Sequence, residues 1–422
     1  METTIHKNAR IFLNILSKIT EWSLYILIFF LPFSKSIIEI SIIVAIISWA
    51  LRKLALKELK LKNTPLNAWL ILFFFVNLVS MLNADYKGLV AVSLFSKCLK
   101  YIVLYFVVVE TIDTEIKLNN LLKFIFMSAI IVMIDSYIQY YIVHFDLIRL
   151  YPSFKFAPLT DRRMDYLGFP TGPFPFPNDL SAWMVIALMS ALCLFLWGTK
   201  NNMRLMLGAF LGPFSFLFYL TNTRSSWLGV LISFISILFI QKKKAIIVLL
   251  FSIMVISMAL LPKTRTEDIL GFSSMQDRFY MWRIGWKIFS DHPIIGNGLN
   301  TSFLKFKELR EDEYKNERGS HFHNGFLQIA ADTGIIGLTA FLLLIGSAFR
   351  SVFRYFKECS DPWYKYLSLG LAGGLLAFLT HSFFDTNLQS LPLVTLFWFS
   401  LGIMMSLRGM NPRQATDEQR IR

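Results

Sequence analysis

Cysteine and charged residues are both scarce in this sequence. Its 422 residues include only three cysteines, two in or beside apolar runs and one in a basic segment, so no disulfide is predicted. Charged residues make up 17% of the chain and hydrophobic residues 55%. One soluble core cannot bury so much apolar surface. The composition therefore excludes a soluble globular protein and predicts a polytopic membrane protein.

Several signatures of cofactor chemistry are missing as well. The sequence contains no Walker loop, no dinucleotide fingerprint, no HExxH motif and no cysteine pair. A divalent-metal site could be assembled from His321, His323, Asp385 and the acidic run 311–313, but that run is typical of a solvated loop. We therefore expect no metal and no other cofactor.

Long apolar runs recur from one end of the chain to the other. Each is long enough to span, or nearly span, a hydrocarbon core of about 30 Å as a helix. The pattern predicts an all-α fold, a single integral-membrane domain over residues 1–422 with about twelve transmembrane helices. The predicted spans are 19–32, 36–51, 66–82, 95–109, 118–142, 179–197, 203–220, 226–240, 245–261, 325–349, 364–381 and 391–407.

The positive charges behind the net charge of +14 are distributed as in a membrane protein, so they do not indicate nucleic-acid binding. Basic residues concentrate at both ends of the chain and in alternate connections. By the positive-inside rule, these connections and both termini face the cytoplasm. The clusters in the connections are Arg52, Lys53, Lys57, Lys60 and Lys62; Lys200 and Arg204; Lys242, Lys243 and Lys244; and Arg350, Arg354, Lys357 and Lys365.

Two segments on the opposite side are longer than a connection requires, and such segments are usually functional or disordered. The first, 143–178, ends in a run rich in proline and phenylalanine that predicts a rigid connector, with a glycan groove as the alternative. The second, 262–324, carries aromatic residues at helical spacing, which predicts an amphipathic helix on the membrane surface. That helix should end at Asp291-His292-Pro293. We expect this second segment to be a large periplasmic loop between helices 9 and 10.

Residues that could carry chemistry converge on this outer side. Arginine binds phosphate groups with a planar, permanently charged fork, so arginines at a membrane surface suit a lipid-linked phosphate or pyrophosphate. Arg278 and Arg283 do not share one helix face, and we favour Arg278 for function. Arg224 could instead be a residue at a helix end that contacts lipid headgroups. The group consists of Arg224, Arg278, Arg283, His321, His323 and Asp385.

His323-Asn324 stands where the outer segment re-enters the apolar chain. A histidine there can take a proton from a reacting hydroxyl, although an interfacial surface residue is the simpler interpretation. Asn324 should cap the following helix. Gly334 and Gly337 lie within that helix and predict close helix packing.

The sequence resembles the O-antigen ligase family, within the superfamily of O-antigen polymerases and protein O-oligosaccharyltransferases. One shared pattern is His-Asn, nine residues, Gly, two residues, Gly and an apolar residue, matched by His323-Asn324 through Gly334, Gly337 and Leu338. Two others are Thr-x-Thr-Arg at 221–224, and Arg-x-x-x-aromatic at 278–282 before Pro-x-x-Gly-x-Gly at 293–298. Motifs occur only in the second half of the chain.

The resemblance implies that His323, Arg278 and Arg224 are catalytic. We expect His321, Arg283, Asn324 and Asp385 to contact substrate. It also implies transfer of a polysaccharide from undecaprenyl pyrophosphate to a lipid A core sugar hydroxyl, without metal, with membrane lipids as further partners. The expected location is the bacterial inner membrane, with a periplasmic active site. The alternatives are an O-antigen polymerase, and a lipid-linked glycan transporter that would use Asp135 and Asp332.

Overall fold

The computed structural model describes residues 2–143, 169–243, 272–309 and 321–410. Within these ranges every regular element is a helix, as the sequence predicted. Seven of the helices are long and apolar enough to cross a membrane. The chain therefore has the architecture of a multi-pass membrane protein.

Fourteen α-helices account for nearly all of the regular structure in the described ranges. Three of them, α4, α6 and α7, continue into a π-helical turn at their C-terminal ends. In chain order the helices are α1 (Glu2–Phe30), α2 (Lys35–Leu56), α3 (Asn67–Val79), α4 (Lys87–Ser93), α5 (Lys100–Thr111), α6 (Glu115–Ile138), α7 (Pro177–Cys193), α8 (Asn201–Leu220), α9 (Arg224–Ile240), α10 (Phe272–Asp291), α11 (Ser302–Leu309), α12 (Gly325–Glu358), α13 (Pro362–Ser382) and α14 (Leu391–Gly409).

Helices occupy eleven of the predicted spans. The ninth, 245–261, lies outside the described residues, so the count of twelve stays a prediction. The second long segment contains α10 and α11, and α10 ends at Asp291 as expected. The periplasmic placement of the segment stays a prediction.

Helix α13 lies between α7 and α9, and small residues make this placement possible. A Cβ added at Gly370 or Gly374 would lie 2.6 Å from the backbone of α7. On the other side, a Cβ at Gly229 of α9 would lie 2.5 Å from the carbonyl oxygen of Ala377. Close backbone approach of this kind is typical of helices that pack within membranes. It fixes the end of α13 and the loop that follows.

Helix α12 is broken at Gly334, which has φ +69° and ψ −174°. The loop 293–298 fills the break. The backbone N–H groups of Asn297 and Gly298 donate to the carbonyls of Ala331 and Asp332, at 3.1 and 2.9 Å. Beyond the break, the N–H of Ile335 donates to the Pro293 carbonyl at 2.8 Å. The inserted loop thus satisfies backbone groups that the break removes from the helix.

This arrangement differs from the close helix packing predicted for Gly334 and Gly337. A Cβ at Gly334 would lie 2.1 Å from the carbonyl oxygen of Ile294, so glycine is required for loop insertion. At Gly337, a Cβ would meet the Thr333 side chain of the same helix. The glycine motif of α12 and the Pro-x-x-Gly-x-Gly turn therefore form one structure, in which the turn inserts into the helix break.

Helix α10 packs with an aliphatic face. Met281, Ile284 and Ile288 are buried against a cluster that includes Phe306 of α11 and Phe322. The predicted aromatic face is divided: Phe279 and Trp286 are exposed, whereas Trp282 packs against Phe383 and Phe384. Trp282 thus contacts the loop after α13, which lies beside the start of α12.

Candidate active site

His323 is paired with Asp385. Its Nδ1 lies 3.2 Å from Asp385 Oδ1, and 37% of the histidine side chain is exposed. The backbone of His323 has φ +48°, a left-handed conformation that a non-glycine residue adopts infrequently. With Nδ1 held by the carboxylate, Nε2 is the ring nitrogen left to meet a substrate. The pair has the geometry of a base and the group that orients it.

Asp385 is itself held firmly. Its Oδ1 accepts from the backbone N–H of Thr386 at 2.8 Å, and its Oδ2 accepts from Asn178 Nδ2 at 2.9 Å. Burial raises the pKa of the Asp385 carboxyl, but the hydrogen bond with His323, the charges of His323 and His381 and the Thr386 N–H together bring that pKa below its ordinary value. The group is therefore a carboxylate at neutral pH.

The network continues from Asn178 to the start of α9. Asn178 Oδ1 accepts from the Thr223 hydroxyl at 3.2 Å, and Ser225 Oγ lies 2.7 Å from Nδ1 of the fully buried His381. Arg224 stands between these two anchored residues and is exposed. The turn that carries Arg224 is thus tied to the loop that carries Asp385.

Helix α10 joins the same site through Trp282. Its Nε1 donates to the carbonyl of His323 at 3.4 Å. Arg278, one turn earlier and half-buried, interacts electrostatically with His381, which in turn interacts with Asp385. The three residues predicted to be catalytic, His323, Arg278 and Arg224, therefore all belong to elements joined around Asp385.

Comparison with known proteins gives a consistent result. The sequence model of a family described as O-antigen ligase matches residues 209–342. The predicted family resemblance is therefore confirmed for residues 209–342, which match an O-antigen ligase domain. This domain contains Arg224, Arg278 and His323, whereas Asn178, His381 and Asp385 lie outside it.

The chain is also similar to proteins named for polysaccharide production and polysaccharide ligation. The chain is 31% identical over 96 residues to the exopolysaccharide production protein ExoQ of Rhizobium meliloti, covering 21% of this chain and 22% of ExoQ. It is 27% identical over 198 residues to a candidate polysaccharide ligase of Rickettsia conorii, covering 43% of this chain and 44% of that protein. The similarity thus spans less than half of either relative.

The other residues predicted for the site differ in their surroundings. Arg283 is exposed on α10 and lies 5.7 Å from the ring of Tyr280. Asn324 caps α12 as predicted, and its Oδ1 accepts from the N–H groups of Phe326 and Leu327. Contact of either residue with substrate stays a prediction.

His321 stands two residues before His323 but has different surroundings. Its ring is 6.5 Å from that of Phe303, and its Nδ1 is buried without a hydrogen-bond partner among the described residues. Burial, together with the positive charge of Lys97, lowers the pKa of His321 to about 4. The ring is therefore uncharged at neutral pH.

Sequence reasoning missed three residues around this site: Asn178, His381 and Lys97. The acidic run 311–313, considered as a metal ligand set, lies outside the described residues. In the part of the chain that the structure describes, no three His, Cys, Asp or Glu side chains are grouped around a common point. His381 precedes Asp385 by four residues, a spacing that could have signalled a shared position at the helix end.

Proposed function

We propose that this chain is a glycosyl-transferring enzyme that ligates a lipid-linked polysaccharide to an acceptor sugar. The observation that carries the proposal is the pairing of His323 with Asp385, joined through Asn178 to the turn of Arg224. The O-antigen ligase match over residues 209–342 supports the same reaction class.

In the proposed reaction, His323 Nε2 takes the proton of the acceptor hydroxyl as its oxygen attacks the anomeric carbon of the donor glycan. The Asp385 carboxylate holds the ring and stabilises the positive charge that it gains. The bond between the anomeric carbon and the pyrophosphate oxygen breaks, and attack from the opposite face inverts the anomeric centre.

Arg224 and Arg278 would bind the leaving pyrophosphate and stabilise its charge as this bond breaks. The proposed donor is an undecaprenyl-pyrophosphate-linked polysaccharide, and the proposed acceptor is the core oligosaccharide of lipid A. A pyrophosphate leaving group makes a further energy source unnecessary. We place the protein in the bacterial inner membrane with its site on the periplasmic side, which the basic connections on the other side support.

The second candidate is a polymerase whose acceptor is another lipid-linked glycan. Similarity to a protein of exopolysaccharide production favours it. A deletion strain separates the two: lipid A core without any attached polymer, with lipid-linked polymer accumulating, supports the ligase. Core that carries one repeat unit supports the polymerase.

A transporter would use Asp135 and Asp332 in its substrate path. Asp332, however, is buried beside the break in α12 and accepts from the backbone N–H and the hydroxyl of Ser302, at 3.1 and 2.5 Å. This bonding favours a role in holding the loop before α11. Asp332 therefore does not support the transporter alternative.

The deciding experiment is transfer by the purified protein, given lipid-linked polysaccharide and lipid A core. We expect transfer by the wild type and a loss of about a hundred- to ten-thousandfold in the His323→Ala variant, the range for a general base. His292→Ala is the matched control, since His292 lies in the same outer segment after α10. No transfer by the wild type from active substrates would refute the proposed function.

A further inference from the structure

Lys97 brings a positive charge within electrostatic reach of His321. It lies in the π-helical turn after α4, inside the predicted span 95–109. Its Nζ donates to Asn300 Oδ1 at 2.7 Å and to Gln389 Oε1 at 3.1 Å. An ionisable residue within a membrane span is expensive to retain and usually functional. The lysine thus connects α4 with the loops before α11 and after α13.

The charge of Lys97 lacks a direct counter-ion. Both hydrogen-bond acceptors are neutral amide oxygens, and the ammonium has three donors. Within the described ranges, no carboxylate lies within ion-pair distance of Lys97. Asp332 acts on it electrostatically, but that carboxylate is engaged by Ser302. The site is therefore suited to an incoming negative charge.

Two further groups face the same region. Lys307 of α11 is exposed, lies 5.5 Å from the ring of Phe303, and has no ion-pair partner in the described part of the chain. The ring of His321 lies near that phenylalanine and interacts electrostatically with Lys97, Lys307 and His323. Its buried Nδ1 has no partner among the described residues. A polar group of a ligand would satisfy it.

The cations around His323 thus form two groups. Arg278 interacts electrostatically with His381, whose Nδ1 lies 2.7 Å from Oγ of Ser225, the neighbour of Arg224. Lys97, in the turn after α4, and Lys307 of α11 both interact electrostatically with His321. In a displacement at the anomeric carbon, the attacking hydroxyl and the leaving group lie on opposite sides of the reacting atom. If the arginines hold the leaving group, the separate group of lysines is the one available to the acceptor.

We propose that Lys97, Lys307 and His321 form a second anion-binding subsite, which takes a phosphate or carboxylate group carried by the acceptor. The inference rests on the proposed transfer reaction and adds that the acceptor is recognised by its negative charge. Lysine suits such recognition because its compact ammonium can meet an oxyanion from several directions.

The test uses the full-length protein in lipid nanodiscs and one lipid-anchored oligosaccharide acceptor in two forms. One form carries a phosphate monoester beside the accepting hydroxyl, and the other has been treated with phosphatase. For the phosphorylated form, Lys97→Gln should raise KM about ten- to a hundredfold, the size of one lost charge-assisted hydrogen bond. With the dephosphorylated form, Lys97→Gln should leave KM for the acceptor unchanged. KM for the donor should be unchanged with either form of the acceptor.

Matched variants separate recognition from folding. Lys87→Gln, nearly three turns earlier in the same helical segment, should behave as the wild type. Lys97→Arg should keep the preference for the phosphorylated acceptor. Lys307→Gln, at an exposed position, should show the same selective effect at about two- to fivefold.

An equal loss on both acceptor forms would overturn the inference. The inference would also be overturned if Lys97→Gln had an effect in nanodiscs of anionic lipid but none in nanodiscs of neutral lipid, because the bound anion would then be a lipid headgroup. If the wild type transfers glycan but ignores the acceptor's charge, only this inference fails. If it transfers to neither form, the proposed function itself fails.

Discussion

At the scale of single residues, the proposed chemistry depends on the contact between His323 Nδ1 and Asp385 Oδ1. The contact joins the loop before α12 to the loop after α13, and Asn178 holds the other carboxylate oxygen. Asp385 was predicted as a substrate-binding residue, and that contact stays a prediction. Because both of its oxygens are occupied by protein groups, we propose that it acts by positioning His323.

Replacing Asp385 by asparagine should therefore reduce kcat and leave KM for both substrates nearly unchanged. The amide keeps the shape of the carboxylate but not its charge, so the protonated ring loses its stabilising partner. We expect a loss of at least about tenfold, smaller than that of His323→Ala. Initial rates at varied donor and acceptor concentrations measure it.

Asp361→Asn provides the control for this variant. Asp361 caps the opposite end of α13, and asparagine caps helices equally well. Transfer by that variant should be normal. A rise in KM without a fall in kcat for Asp385→Asn would instead indicate direct substrate contact.

His321 should make the protein sensitive to acid. Its pKa is lowered to about 4 in the folded protein, against about 6.5 for an unfolded histidine. Between these values the unfolded chain binds a proton that the folded chain does not. Stability should therefore fall as pH falls from about 6.5 to about 4.

Thermal unfolding of the detergent-solubilised protein across that pH range measures this effect. The melting temperature of His321→Asn should fall less steeply than that of the wild type. His292→Asn serves as the control and should follow the wild-type curve. Parallel curves for wild type and His321→Asn would show that His321 does not cause the sensitivity.

At the scale of elements, the break in α12 couples two motifs that are separate in the sequence. Loop 293–298 bonds to the carbonyls of Ala331 and Asp332 and, beyond Gly334, to the N–H groups of Ile335 and Ile336. The same loop follows α10, which carries Arg278. The position of the arginine relative to His323 therefore depends on this insertion.

Gly334→Ala should destabilise the protein and reduce transfer. The conformation at φ +69° is nearly exclusive to glycine and costs other residues about 1–3 kcal/mol, before the overlap with the Ile294 carbonyl is added. Gly346→Ala in the same helix is the control, because nothing lies within 4 Å of its added Cβ. Thermal unfolding and transfer assays compare the two. Equal stability of both variants would contradict the insertion.

At the scale of the whole molecule, the basic connections set the proposed orientation. Some of their charges also hold helices together. Lys53 was assigned to a connection, yet its Nζ lies 2.8 Å from Glu110 Oε2, and both side chains are largely buried. The indole of Trp49 donates to the same oxygen at 2.9 Å. Lys53 therefore both adds to the positive charge that sets the proposed topology and holds α2 to α5.

The orientation predicts the outcome of reporter fusions. Green fluorescent protein fused to the C-terminus should fluoresce, because it folds in the cytoplasm. Alkaline phosphatase inserted after Leu309 should be active, because that enzyme requires the periplasm. The reverse pattern would invert the proposed topology and place His323 on the cytoplasmic side.

The sequence by itself determined most of the described helices and the residue types of the candidate site. Apolar run length predicted helices over 95–109 and 391–407, and the asparagine before an apolar run predicted the cap at Asn324. The resemblance of its spacing to the glycines to the O-antigen ligase pattern implied a role for His323. These features are local, since helix formation and capping depend on residues a few positions apart.

Only the tertiary structure decided which residues work together. It paired His323 with Asp385, tied Asn178 to the turn of Arg224, and placed Lys97 beside His321. It also assigned Gly334 to a helix break rather than to a packing stripe. Such contacts join residues as many as 292 positions apart, as between Lys97 and Gln389. They arise from how whole helices pack, which no local pattern encodes.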